Sequence, residues 1–201
     1  MANQYPYIHL AGRFYYLIFM IDLYSRRILG FSAANHMRAE ANINCLKQSF
    51  KQRKQHRLNH LIHHSDRGSQ YGSKAYTKLL TDKNIQISMG LSALENAFAE
   101  RVNGTITNEY LKLWNITGLS ELQKRLKQAV DHYNHKRIHN SLPDRISPSQ
   151  FEDGLKNKTK RKHMLIYSLN YENMKELRKQ YTTFDNNIDN WYCPLLIEND
   201  I

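Results

Sequence analysis

The chain has 201 residues, enough for one folded domain with an appendage. Because 41% of the residues are hydrophobic and only four are prolines, the composition predicts a folded protein and not a disordered one. Its formal net charge of +11 favours a polyanionic partner, most simply nucleic acid. Two distant cysteines, Cys45 and Cys193, exclude a disulfide framework and argue against a cysteine-based zinc site. No apolar run is long enough to span a membrane, the first residues lack the order of a signal peptide, and a reducing cytoplasm fits.

The first half of the chain predicts an antiparallel meander followed by alternating helices and strands. Its predicted elements are strands at 5–10, 14–23, 27–34, 61–64 and 85–89 and helices at 38–53 and 73–82. Residues 14–23 are apolar on both faces, as in a buried strand, and short turns join this strand to its neighbours. The strand at 61–64 is reached through a helix, which predicts a parallel partner for it. The apolar stripe of the helix at 38–53 is formed by Ala41, Cys45, Leu46 and Ser49.

The second half of the chain predicts helices and then a change of composition. The predicted helices cover 95–113, a stretch opening at Ser120, a short one opening at 147–149, and 172–181. The spacing of the long helix predicts a core-facing stripe of Phe98, Val102, Ile106, Tyr110 and Leu113. We therefore expect a mixed α/β core over residues 1–153, with helices on the faces of its sheet. Residues 154–201 are expected to form a basic linker and a tail.

Two acidic residues occupy places where they can hold a metal ion. Asp66 follows an apolar strand, and Glu100 lies on the long predicted helix, with thirty-three residues between the two acids. Carboxylate oxygens are the hard ligands that Mg²⁺ prefers. Other interpretations remain open, because Asp66 also suits a turn and Glu100 also suits a solvated helix face. His135 and His139 have the i, i+4 spacing of a zinc pair, but the sequence offers no third ligand for them.

Five stretches of the sequence form a distinctive series. They are residues 7–8 with 14–17 (YI and FYYL), 21–30 (IDLYSRRILG), 64–71 (HSDRGSQY), 95–100 (ENAFAE) and the Y-N-x-x-R-x-H-x-x-L…P segment of 133–148. In this order they resemble the catalytic core of OrfB-type insertion-sequence transposases in the retroviral-integrase superfamily. The resemblance implies a ribonuclease H-like fold and metal-dependent DNA cleavage and strand transfer. It also implies that Asp66 and Glu100 are the second and third catalytic acids of a DDE site and ligands of two Mg²⁺ or Mn²⁺ ions.

The chain departs from the family pattern at the first acid. Aligned without a gap, the first aspartate falls at Gln4, three residues before Tyr7; alternatively, a small deletion before Tyr7 has removed it, and in either case no acidic residue precedes Asp22. Thr107 stands where many relatives carry a DNA-contacting Lys or Arg. We therefore expect a truncated or degenerate core that binds ions weakly, with catalysis reduced about 10³-fold or more. The alternative is a non-catalytic DNA-binding remnant or an inhibitor of an intact transposase. Asp22 is expected to be structural and not a substitute ligand.

The resemblance also implies partners and a location. We expect DNA, both insertion-sequence ends and target, and association with further copies or with an intact transposase, in the bacterial cytoplasm at the nucleoid and away from membranes. Each basic residue taken alone also suits an ordinary surface charge. The candidate DNA contacts are Arg26, Arg27, Lys51, Lys54, Arg57, Arg67, Arg101, Lys124, Arg125, Lys127 and Arg137.

Overall fold

The computed structural model describes residues 7–10, 12–53, 58, 61–65, 68–69, 71–89 and 97–155. The strands in these residues are β1 Tyr7–Leu10, β2 Arg13–Ile21, β3 Ile28–Ala34, β4 Ile62–Ser65 and β5 Gln86–Met89. The α-helices are α1 Ala39–Gln52, α2 Lys74–Thr81, α3 Ala97–Glu109, α4 Leu119–His135 and α5 Pro148–Leu155. The order of the elements confirms the predicted α/β class. None of the described helices is both long and apolar enough to cross a membrane.

The strands pair in the two ways that the sequence predicts. β1, β2 and β3 form an antiparallel meander in which Tyr16 of β2 lies opposite Tyr7 on one side and Ala34 on the other. The register shifts between Met20 and Ile21, whose partners Gly30 and Ile28 leave Leu29 of β3 as an extra residue. β4 and β5 pair in parallel, which confirms the direction expected for a strand reached through a helix.

The central strand β2 is buried on both faces because its apolar side chains alternate between two cores. Tyr15 and Leu17 pack in a core shared with α3 and α4, whereas Ile18 and Met20 pack in a core shared with α1 and α2. The helices therefore cover both faces of the sheet. The apolar run was predicted too long, because Phe14 is 54% exposed at its start and residue 23 lies beyond the end of β2.

Helix α1 lies directly on β3 through a stripe that the sequence identifies. Ala41, Cys45, Leu46 and Ser49 are all buried, as predicted. Gly30 of β3 makes this close approach possible, because a Cβ atom there would overlap the backbone carbonyl of Cys45 and lie 2.7 Å from the Ser49 hydroxyl. The absence of a side chain at position 30 therefore sets the distance between the sheet and α1.

Helix α3 is shorter than predicted and its buried face differs from the expected stripe. It ends at Glu109, and a turn of 3₁₀ helix at Leu111–Leu113 follows. The change of helical period buries Leu111 and leaves Leu113 74% exposed, so the prediction that Leu113 faces the core is wrong. Phe98 is 41% exposed and was also wrongly assigned to the core.

The later helices agree better with their sequence signals. The sequence of α4 has apolar residues at helical spacing, Leu119, Leu122, Leu126, Val130 and Tyr133; the last four are buried and Leu119 is partly buried against the same core. Helix α5 begins with a capping box in which the amide of Gln150 donates to the Ser147 hydroxyl and the Gln150 side chain accepts from the Ser147 amide. Residues 156–201 lie outside the described part, so the linker, the tail and the helix at 172–181 stay predictions.

Candidate functional site

Glu100 occupies the first turn of α3, two residues after the exposed Phe98. Val102 and Ile106 hold this helix to the core, because they are 6% and 0% exposed. The Glu100 side chain itself is exposed. In the part of the chain that the structure describes, no basic or hydroxyl group pairs with its carboxylate. The first turn of α3 therefore carries an exposed carboxylate with no partner among the described residues.

The second predicted acid follows the last residue of β4. Ser65 ends this strand, is 4% exposed, and its hydroxyl has no hydrogen-bond partner among the described residues. Asp66 and Arg67 come next in the sequence and lie outside the described residues. If Asp66 and Glu100 share metal ions, their carboxylates should lie about 4 to 7 Å apart, the range that ligands of one or two bridged ions require. That separation stays a prediction.

Two positions bear on the missing first acid, Gln4 and its possible substitute Asp22. Gln4 lies outside the described residues. Asp22 follows the end of β2, and its Oδ1 accepts hydrogen bonds from the amides of Tyr24 and Ser25 at 2.9 and 3.0 Å. Its Oδ2 accepts from the Arg53 guanidinium at 2.7 Å. The two amide bonds close the β2–β3 turn and the Arg53 bond ties this turn to the end of α1, which confirms the structural role expected for Asp22.

The carboxylate of Glu100 is the kind of donor that a hard divalent cation takes. Glu100 offers free carboxylate oxygens, and oxygen ligands are what Mg²⁺ and Mn²⁺ take in proteins. The described residues alone contain no group of three His, Cys, Asp or Glu side chains that could hold a metal ion. A metal site that includes Glu100 would therefore need ligands from outside the described residues, and Asp66, which follows β4 in the sequence, stays the predicted one.

Four of the predicted DNA contacts are exposed lysine or arginine side chains on helices. They are Lys51 on α1, Arg101 on α3, and Lys124 and Lys127 on α4. Lys127 makes a surface ion pair with Asp131 at 2.6 Å, which leaves most of its side chain in solvent. These four remain open to a phosphate backbone. Lys54, Arg57 and Arg67 lie outside the described residues.

The other predicted DNA contacts are partly buried arginines with partners inside the protein. Arg27 pairs with Glu152 at 2.6 Å, and Arg125 lies 3.7 Å from Glu121. Arg137 donates two hydrogen bonds to Glu109, both at 2.7 Å. The Arg137 side chain holds the pKa of Glu109 below its ordinary value. Arg26 lies over an aromatic ring and makes no ion pair in the described part of the chain.

The histidines weighed as a zinc pair lie in different surroundings. His135 is exposed and its Nδ1 contacts the backbone oxygen of Asp131 at 2.9 Å. His139 is 8% exposed and packs edge-on against Tyr133, with ring centres 4.7 Å apart. Burial, aided by the charge of Arg137, lowers the pKa of His139 to about 4. His139 is therefore a neutral core residue at physiological pH.

The sequence did not reveal the buried polar residues that hold this part of the fold together. The Asn134 side chain makes two hydrogen bonds to the backbone of Ile28 at the start of β3. It accepts one from the Ile28 amide and donates one to the Ile28 carbonyl, both at 2.9 Å. Glu152 is 5% exposed and accepts hydrogen bonds from Ser25, Arg27 and Arg53. Asn134 stands out in the sequence only as part of the Y-N-x-x-R segment, and the sequence signal of Glu152 is a polar residue inside the buried stripe of a helix.

Two family models match this chain. Residues 4–92 match an integrase core domain model, and residues 82–148 match a second model of the same description. The transposase for insertion sequence element IS986/IS6110 of Mycobacterium tuberculosis is 32% identical over 154 residues, which are 73% of this chain and 54% of that protein. Transposase InsK for element IS150 of Escherichia coli is 32% identical over 129 residues, 63% of this chain and 45% of that protein. The chain thus spans about half the length of these curated relatives.

The fold also matches solved integrase structures. The catalytic core domain of HTLV-2 integrase, solved in complex with magnesium, superposes with a TM-score of 0.57 at 19% sequence identity. The match covers 72% of this chain and 89% of that one. At this identity the comparison speaks for the fold alone, and it confirms the predicted ribonuclease H-like architecture.

Proposed function

The chain belongs to the integrase core domain family of insertion-sequence transposases, and from this premise we propose that it is a DNA-cleaving and DNA-joining core. In this proposal Asp66 and Glu100 are the second and third acids of the catalytic site. Both would bind Mg²⁺ or Mn²⁺ through carboxylate oxygens. The bound ions supply the charge that activates the attacking oxygen and stabilises the leaving one.

The observation that carries the proposal is the open carboxylate of Glu100. The acidic side chains of Glu109, Glu121 and Glu152 accept hydrogen bonds from neighbours in the fold. Glu100 has no such partner among the described residues, although the chain contains 29 lysines and arginines. A helix anchored in the core that leaves this carboxylate free supports a ligand role; Glu40 on α1 is likewise exposed without a described partner, so the support comes from the open carboxylate together with its place in the segment 95–100.

Catalysis by residues 1–201 alone is proposed to be weak, because no acidic residue stands at the first-acid position, which is Gln4 in the alignment without a gap. A neutral amide oxygen is a poor bridging ligand for two divalent cations, so Asp66 and Glu100 would hold one ion loosely. Strand transfer with matched element ends tests this proposal. Gln4→Asp should raise the rate by about 10³-fold, and Asp66→Asn in the same background should abolish the gain. Efficient joining by the unaltered chain that survives Asp66→Asn would contradict the assignment.

The sequence at position 4 also favours a second candidate, a DNA-binding protein without catalysis that associates with an intact transposase. The exposed cations of α1, α3 and α4 support DNA binding in both candidates. Affinity for duplex DNA should fall with salt at a log–log slope of about −0.9 per phosphate neutralised. If the basic linker also contacts DNA, replacing its cations together should lower that slope. Those cations are Lys156, Lys158, Lys160, Arg161 and Lys162.

Strand transfer separates the two candidates. An increase after Gln4→Asp supports a catalytic core, whereas DNA binding with no increase supports the non-catalytic protein. Absence of DNA binding at low salt would contradict both.

A further inference from the structure

Arg26 lies in the β2–β3 turn with an unusual backbone conformation. Its φ angle is 63°, in the left-handed region that non-glycine residues seldom adopt. The surrounding bonds impose it, because Asp22 accepts hydrogen bonds from Tyr24 and Ser25 and donates its amide to the Arg27 carbonyl at 2.9 Å. The turn therefore fixes the direction in which the Arg26 side chain leaves the backbone.

The Arg26 side chain reaches the first turn of α3. Its guanidinium carbon lies 4.4 Å from the centre of the Phe98 ring. Nη1 is buried and has no hydrogen-bond partner in the described part of the chain, and burial lowers the pKa of the guanidinium. A cation over an aromatic face is attracted by the ring, most strongly where water is excluded. The contact with Phe98 therefore ties this charge to the first turn of α3, while the negative charge of Asp22 attracts it from its own turn.

We propose that Arg26 is a positioning residue for Glu100. Phe98 and Glu100 share the first turn of α3, whose amides have no acceptors within the helix and which is therefore prone to fraying. By holding Phe98 against the rigid β2–β3 turn, Arg26 keeps this turn of the helix formed and Glu100 in one place. The assignment of Glu100 as a ligand rests on the proposed function, but the clamp on α3 does not.

Amide hydrogen exchange tests the clamp directly. The amides of residues 101–104 donate to the carbonyls of residues 97–100 in an α-helix, so their exchange reports opening of the first turn. Arg26→Met should accelerate their exchange about 5- to 30-fold, the range expected for loss of a partly desolvated cation–π contact. Arg26→Lys should accelerate it less, because the cation remains. The matched control is Lys83→Met, which removes a cation 5.2 Å from the Phe50 ring and should leave residues 101–104 unchanged.

A second variant separates positioning from overall stability. Arg26→Gly removes the side chain but suits the left-handed backbone, so its melting temperature should be at least that of Arg26→Met. Its exchange at residues 101–104 should nevertheless be as fast as in Arg26→Met. Unchanged exchange in both variants, or equal acceleration throughout α4, would overturn the clamp.

Manganese binding then links the clamp to Glu100. The binding to measure is the Mn²⁺ binding that disappears in Glu100→Gln. Its affinity should be about fivefold or more weaker in Arg26→Met and Arg26→Gly, and unchanged in Lys83→Met. Equal affinity in the Arg26 variants would overturn the positioning role. If the unaltered chain shows no Glu100-dependent Mn²⁺ binding, the proposed function fails and the positioning role fails with it, whereas the exchange data still decide whether the clamp exists.

Discussion

Removing the Glu152 carboxylate should cost this protein a large part of its stability. Glu152 accepts hydrogen bonds from Ser25 at 2.7 Å and from Arg27 and Arg53 at 2.6 Å each. Arg53 also bonds Asp22 at 2.7 Å. This buried network joins α5, the β2–β3 turn and the end of α1. Burial alone would raise the pKa of Glu152, but the two guanidinium groups hold it below its ordinary value.

The expected magnitude follows from what the variant leaves behind. Breaking a buried ion pair by removing one partner costs about 3–5 kcal/mol, because the other charge stays buried without compensation. In the variant, Arg53 keeps its ion pair with Asp22, and the Arg27 side chain, which is 25% exposed, can be solvated by water. We therefore expect Glu152→Ala to lower the unfolding free energy by about 3 kcal/mol, at the lower end of that range. Urea unfolding followed by circular dichroism measures this loss.

The matched control is the exposed pair of Lys127 and Asp131. Breaking it with Lys127→Ala should cost less than about 1 kcal/mol, and most of that cost should vanish in high salt. The loss in Glu152→Ala should persist in high salt because the network is buried. A loss below about 1 kcal/mol, or one that salt removes, would show that the network does not hold α5 in place.

Three further predictions concern single positions. Gly30→Ala should lower the unfolding free energy by about 2–3 kcal/mol, measured by thermal unfolding, because the new Cβ would overlap the Cys45 carbonyl. Gly104→Ala, whose Cβ would lie 3.9 Å from the nearest atom, should raise it by about 0.5–1 kcal/mol. Equal effects of the two substitutions would contradict the close packing at Gly30. Burial holds the pKa of His139 at about 4, so the unfolded chain binds the extra proton below pH 6.5, and this site should contribute about 3 kcal/mol to the fall in unfolding free energy from pH 6.5 to 4, beside the contribution of His63, whose pKa burial also lowers to about 4; His139→Phe should lessen the fall by about its own share. Ser147→Ala should cost about 1 kcal/mol by removing the cap of α5, and no loss in urea unfolding would exclude that role.

Elements with a strong local signal could be predicted from the sequence. The double-faced burial of β2, the stripe of α1 and the cap at Ser147 each depend on residues a few positions apart. Their side-chain periodicity is a property of the chain segment itself. The place of Glu100 on a helix followed in the same way from the spacing around it.

Features that depend on distant residues could not be predicted. Glu152 and Arg53 meet across 99 positions of sequence, and nothing local to either one indicates the other. Phe98 fits the helical stripe of α3 by spacing, yet it lies on the surface under Arg26, a residue of a different element. The burial of Leu111 depends on a change from α to 3₁₀ geometry that no sequence signal marked.

A crystal structure of the chain soaked with Mn²⁺ tests the central claim most directly, because anomalous scattering locates the ion. The account predicts a peak about 2 Å from carboxylate oxygens of both Asp66 and Glu100, with those carboxylates about 4 to 7 Å apart. An ion held by other residues, or carboxylates too far apart to share one, would contradict it.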